Sequence, residues 1–114
     1  MCLSRFFACV IVALWLAVQT TRATWSIIVV DTRTREIAVG AATCVQSINL
    51  RTYLPVIRPE VAAACAQSFV DTTGQNRLLI WNEFERGTDP ATILALLEAA
   101  DPNHQTRQYG LVDL

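Results

Sequence analysis

The stretch that decides the fold is Thr24-Trp25-Ser26-Ile27-Ile28-Val29-Val30, followed by Asp31-Thr32-Arg33-Thr34-Arg35 and then Glu36-Ile37-Ala38-Val39-Gly40-Ala41-Ala42. The first segment is a near-continuous run of β-branched and aromatic residues, which reads as a strand covered on both faces. The middle residues are a polar turn, and the last segment is a second apolar run of similar length. Together they predict an antiparallel hairpin. Small side chains dominate its second strand, so a bulky group or a backbone is expected close against it.

On the N-terminal side of the hairpin, Arg5 precedes an uninterrupted apolar run over residues 6–18, and the polar Gln19-Thr20-Thr21-Arg22 closes on Ala23. Thr21 and Ala23 are the small residues wanted at positions −3 and −1 of a signal-peptidase site. The run is shorter than the roughly 18 to 20 apolar residues that cross a bilayer. Residues 1–23 are therefore expected to be a cleaved secretory signal peptide, and the mature chain to be secreted or periplasmic, with no membrane attachment after cleavage. An uncleaved anchor is the competing reading. Residues 24–114 then form one small domain or part of one.

On the C-terminal side, residues 44–59 read as irregular, with Pro55 and Pro59 interrupting any element. Residues 61–70 are Ala-rich and fit strand or helix; the end at Ser68-Phe69-Val70 favours strand. Asp71-Thr72-Thr73-Gly74 is turn chemistry, and residues 75–86 place Leu78, Ile80, Trp81 and Phe84 on one face of a helix that Gly87 stops. Asp89 and Pro90 mark the cap and first turn of a second helix, with Ile93, Leu94, Leu97 and Ala100 as its apolar stripe and Asp101-Pro102 as its end. Such a helical hairpin needs a sheet to cover. Tyr109-Gly110-Leu111-Val112-Asp113 reads as a further strand, and a chain stopping there is expected to be the front part of a larger α+β fold.

All nine basic residues are Arg; without the leader, seven face ten acidic residues, which argues against a nucleic-acid partner. The absence of Lys excludes Schiff-base and ammonium chemistry. Cys44 and Cys65 are the cysteines of the mature chain, and one disulfide or two free thiols both stay open. With the lone His104 they make no metal-ligand spacing, so neither metal nor cofactor is expected. Cys44 and Ser47 are too isolated from His104 to read as a nucleophile pair, and His104 itself reads as a surface or capping residue. Glu83 and Glu85 are assigned to the solvated side of their helix.

Cleavage after Ala23 would leave Thr24 first, with a hydroxyl and a free α-amine on one residue. That amine has an ordinary pKa of about 7.7 to 8.0, so a sizeable minority is neutral near pH 7 and can take the hydroxyl proton. Thr24 is the candidate catalytic residue. The plain alternative is that an exported chain has to begin with something.

Several segments carry a family resemblance: Thr24-Trp25-Ser26-Ile27, Ile37-Ala38-Val39-Gly40, Leu54-Pro55, and above all Leu96-Leu97-Glu98-Ala99-Ala100-Asp101-Pro102 with Arg107-Gln108-Tyr109-Gly110-Leu111-Val112-Asp113. The chain resembles the family DUF1028, a domain of unknown function regarded as similar to N-terminal-nucleophile (Ntn) hydrolases. The resemblance implies a four-layer αββα sandwich, of which this chain holds the N-terminal part. It implies hydrolysis of an amide bond, in an unassigned small molecule or peptide, through an acyl-enzyme on Thr24. Two features depart from that pattern: family members continue beyond the point where this chain ends, and the lysine of proteasome-type relatives has no counterpart. Arg35 and Arg51 are the candidates to replace it. A homo-oligomer is left open, and the rival reading is a non-catalytic binding or cell-envelope module on the same fold.

Overall fold

The computed structural model describes residues 24–114, and the signal-peptide reading of residues 1–23 lies outside the described residues. In chain order the elements are β1 (Thr24–Asp31), β2 (Glu36–Thr43), α1 (Leu50–Tyr53), β3 (Pro55–Arg58), β4 (Ala62–Ser68), α2 (Gln75–Arg86), α3 (Pro90–Ala100), a 3-10 turn (His104–Thr106) and β5 (Arg107–Asp113). β1 and β2 pair as a two-stranded antiparallel sheet, in register from Thr24 opposite Thr43 to Asp31 opposite Glu36. The other strands form a second antiparallel sheet in the order β3-β4-β5. The described chain is thus α+β, with two small antiparallel sheets and three α-helices.

The hairpin closes as its polar turn predicts. Asp31 Oδ1 accepts the backbone N–H of Arg33 at 2.8 Å and of Thr34 at 3.0 Å, and Arg35 completes the reversal at a φ of 63°. Coverage on both faces is corrected, however. Burial alternates along β1, and Trp25, Ile27 and Val29 stay 56%, 54% and 55% exposed. An apolar run marks both faces of a strand alike, but among the described residues only one face has something to pack on. The small residues of β2 behave as expected, for Ile27 Cγ2 lies 3.4 Å from where a Cβ on Gly40 would stand.

β4 is the centre of the molecule. Ala62, Ala63, Ala64, Cys65 and Ala66 are all buried, which a strand achieves only when both its faces are covered. Its two edges are taken by β3 and β5, so β1, which also contacts it, lies across its face. Because side chains alternate, Ala62 and Ala64 point to one side and join Val56, Ile80, Phe84, Ile93 and Leu97 in the core, while Ala63 and Cys65 point to the hairpin. Helices α2 and α3 thus cover one face of the three-stranded sheet and the hairpin covers the other. Leu54, Ile80, Ile93 and Leu97 are fully buried, each contributing about 1.5 to 3 kcal/mol.

Both long helices begin and end where the sequence places them: Gly87 stops α2 at a φ of 72°, and the Asp89 side chain accepts the Thr92 N–H with Pro90 in the first turn of α3. Their faces differ from expectation. In α2 the interior takes Asn76, Ile80, Glu83 and Phe84, whereas Leu78 and Trp81 remain on the outside; in α3 only Ile93 and Leu97 are buried, and Leu94 and Ala100 face out. Residues 44–59 are less irregular than their prolines suggest. The Asn49 side chain accepts the Arg51 N–H to start α1, and Pro55 opens β3, an edge strand that tolerates a missing donor. No helix among the described residues is long and apolar enough to cross a membrane.

Candidate active site

Thr24 opens β1 on the face turned toward the central sheet, half-buried. Its Oγ1 lies 2.8 Å from Oγ1 of its cross-strand partner Thr43. Thr43 Oγ1 also accepts the Val45 N–H at 3.1 Å, and its hydroxyl can serve Thr24 Oγ1 as donor or as acceptor. When Thr43 is the donor, the Thr24 hydroxyl proton is free for a base.

Two contacts fix how β1 crosses β4. The Ser26 side chain lies near the Cys65 thiol, and at the far end the Arg35 guanidinium donates from Nε to the Glu60 carbonyl at 3.2 Å, with Asp31 and Glu60 lining one groove there. β1 therefore runs antiparallel to β4. Two residues back from Ser26 is Thr24, two residues on from Cys65 is Gln67, and the pleat keeps each pair on the facing sides. Thr24 thus stands over the Gln67 end of the layer between the sheets.

The other candidates are dispersed. Cys44 and Cys65 are free thiols, the first exposed and the second buried. Burial holds the Cys65 thiol above its ordinary pKa, with the Ser26 hydrogen bond working the other way, so it is a neutral and weak nucleophile at pH 7. Arg35 is engaged by Glu60 at the opposite end of β1 from Thr24, and Arg51 is exposed on α1. Ser47 is exposed in its loop, and His104 stacks on Tyr109 with ring centroids 5.6 Å apart. Glu85 pairs with Arg58, Nε to Oε1, at 2.5 Å. The solvated reading of Glu83 is corrected: it is buried and held by Arg86 and by the Thr88 hydroxyl at 2.7 Å, partners that close the end of α2. Among the described residues, no three His, Cys, Asp or Glu side chains come together as a metal site.

One polar cluster escaped the reading of the sequence. Asp101 accepts from Arg107 Nε at 2.8 Å and from Asn76 Nδ2 at 2.6 Å, while Asn76 Nδ2 also reaches the Tyr109 hydroxyl at 3.0 Å. The Asn76 backbone N–H is taken by Asp71 Oδ2 at 2.9 Å. The Arg107 hydrogen bond first, and Asn76 second, hold the Asp101 carboxyl well below the usual carboxylate range, and Asp101 in turn raises Arg107. Burial pushes the Tyr109 hydroxyl up. The cluster ties the start of α2, the end of α3 and the start of β5 into one corner, on the helix side of the sheet and away from Thr24. Its sequence signal is the block Asp101-Pro102 to Tyr109, in which a charged pair brackets a helix end.

No curated protein and no solved structure matches this chain. The model of one family, described as a family of unknown function (DUF1028), matches residues 24–114. The match opens on Thr24, the first residue of β1, and spans both sheets and all three helices, including the Asp101 to Tyr109 corner. The chain therefore belongs to the DUF1028 family.

Proposed function

We propose that this chain is an exported, Ntn-hydrolase-like domain in which removal of residues 1–23 makes Thr24 both the first residue and the nucleophile. The observation that carries the reading is the position of Thr24. It begins β1 and the family match, it lies on the face turned toward the inter-sheet layer, and its hydroxyl is held by Thr43 at 2.8 Å.

In the proposed reaction the α-amine of Thr24 takes the Oγ1 proton as Oγ1 adds to the carbonyl carbon of an amide. The tetrahedral adduct collapses to an ester on Thr24, and the ammonium returns its proton to the departing amine. Water, activated by the same amine, then cleaves the ester and restores the hydroxyl. No Lys or His is required, in keeping with a chain that has no Lys and whose one His is stacked on Tyr109. The substrate class is an amide of a small molecule or peptide. The exposed apolar face at Trp25, Ile27 and Val29 supports the four-layer αββα reading, because a further helical layer on the hairpin would cover it.

Two measurements test the proposal. Mass spectrometry of the exported protein should find Thr24 first with a free amine. Covalent labelling by an electrophile directed at N-terminal threonine should then be abolished by Thr24→Ala. A start elsewhere sinks the catalytic reading, and equal labelling of both proteins would favour a binding module on the same fold.

A further inference from the structure

At the end of β4 toward which the strand crossing carries Thr24, a polar atom is buried and has no partner among the described residues. Gln67 donates from Nε2 to Gln108 Oε1 at 3.0 Å, which orients its amide, yet Gln67 Oε1 is enclosed and accepts no hydrogen bond among the described residues. A buried acceptor is normally paired, so an unpaired one calls for a donor. Nothing on β4 or β5 supplies it: the neighbouring Ala66 is apolar, and Gln108 meets Gln67 through its acceptor oxygen.

The donor is indicated by the crossing of the two sheets. With Ser26 near Cys65 and the Arg35 turn clipped to Glu60, the two-residue pleat carries Thr24 toward Gln67. Peptide cleavage before Thr24 replaces an amide nitrogen, which has one N–H, with an amine that has two when neutral and three when charged. We infer that Gln67 is the positioning residue for the Thr24 α-amine, its Oε1 accepting one N–H so that the nitrogen lone pair is turned toward Oγ1. This assignment rests on the Thr24 reading and adds a division of labour. Thr43 fixes the hydroxyl from the neighbouring strand, and Gln67 fixes the amine from the sheet beneath.

The surroundings favour a neutral acceptor here. The groups at this end of the layer are Thr24 and Ser26 on β1, Thr43 on β2, Cys65 and Gln67 on β4 and Gln108 on β5. Of these side chains only Cys65 titrates, and burial keeps it a neutral thiol. Arg107, the next charged residue along β5, is turned to Asp101 on the other face. A carboxylate in place of Gln67 would hold the amine as an ammonium and withdraw it from service as a base.

The chain has no Lys, so once processed its α-amine is its only amine, and N-acetylation read by mass spectrometry on the N-terminal peptide reports on that group. The test uses the full chain exported and processed in its host, as wild type, Gln67→Leu and Gln67→Glu. N-terminal mass spectrometry identifies the first residue, and acetic anhydride labelling across a pH series gives the amine pKa. Relative to wild type, the pKa should fall by about half a unit or more in Gln67→Leu and rise by about one unit in Gln67→Glu. If Gln67→Leu fails to fold, the shift in Gln67→Glu decides alone. Amines starting at Thr24 that titrate identically in all the proteins overturn the role of Gln67 and leave the Thr24 reading standing. A first residue other than Thr24 removes both.

Discussion

On the helix side of β4, Ala62 and Ala64 lie against Ile80, Phe84, Ile93 and Leu97, and their small size leaves room for large apolar side chains to close the core. On the hairpin side, Ala63, Cys65 and Gln67 lie beneath β1, and the same small size lets a second backbone approach until Ser26 reaches Cys65. One strand therefore uses alanine for two ends. Apolar volume, and with it most of the stability, accumulates on one face, while the other brings hydroxyl, thiol and amide groups within reach of each other. A site built on the second face can vary without dissolving the first.

Substitutions on the two faces should separate accordingly. Leu97→Ala, in the helix-side core, should lower stability by about 2 to 5 kcal/mol in urea unfolding, and a loss below about 1 kcal/mol would break the assignment of stability to that face. Asp101→Asn should cost about 2 to 3 kcal/mol by weakening the corner that anchors both long helices. It should also change the response to acid. The folded Asp101 carboxyl titrates below its ordinary value, so its contribution is complete above about pH 4 and is lost as the pH falls from there. The wild type should accordingly lose more stability than Asp101→Asn between about pH 4 and pH 2.

Thr43→Val tests the hairpin side. It should shift the urea midpoint by the equivalent of about 1 kcal/mol or less, yet slow labelling of Thr24 at least several-fold, because the hydroxyl loses the partner that orients it at 2.8 Å. Equal changes in both readouts would mean that Thr43 serves only the strand pairing. The smallest effect is expected on the outer face of the hairpin, where Trp25→Thr should alter stability by no more than about 0.5 kcal/mol while reducing self-association seen by light scattering.

Local chemistry made part of this legible in advance. The turn at Asp31, the stop at Gly87 and the cap at Asp89 act through neighbours a few residues away, and the elements they bound lie where the sequence puts them. β3 was hidden because four residues that open on Pro55 and stop before Pro59 form a strand only when β4 offers a ladder. The packed face of β1 was hidden because both its faces are apolar, and the burial of Glu83 because its partners Arg86 and Thr88 become partners only as the helix ends. Thr24 was visible from the cleavage pattern alone. Its neighbours were not, since Thr43 arrives through hairpin register and Gln67 through the crossing of two separate sheets, neither of which has a local signal.

The clip between the Arg35 side chain and the Glu60 carbonyl acts on that crossing as a ruler. Both residues sit at turns with positive φ, 63° and 61°, which hold the two hairpin ends in matching shapes. Strands packed face to face through small side chains can slide, and the pleat permits a slip of two residues with no change in which side chains face inward. Such a slip would carry Thr24 off Gln67 and set Ser26 on alanine or glutamine instead of Cys65. Alignment at one end of β1 is thus governed from the other, about 23 Å away at strand rise. A change at Arg35 would act on the proposed site through displacement, with no group there altered.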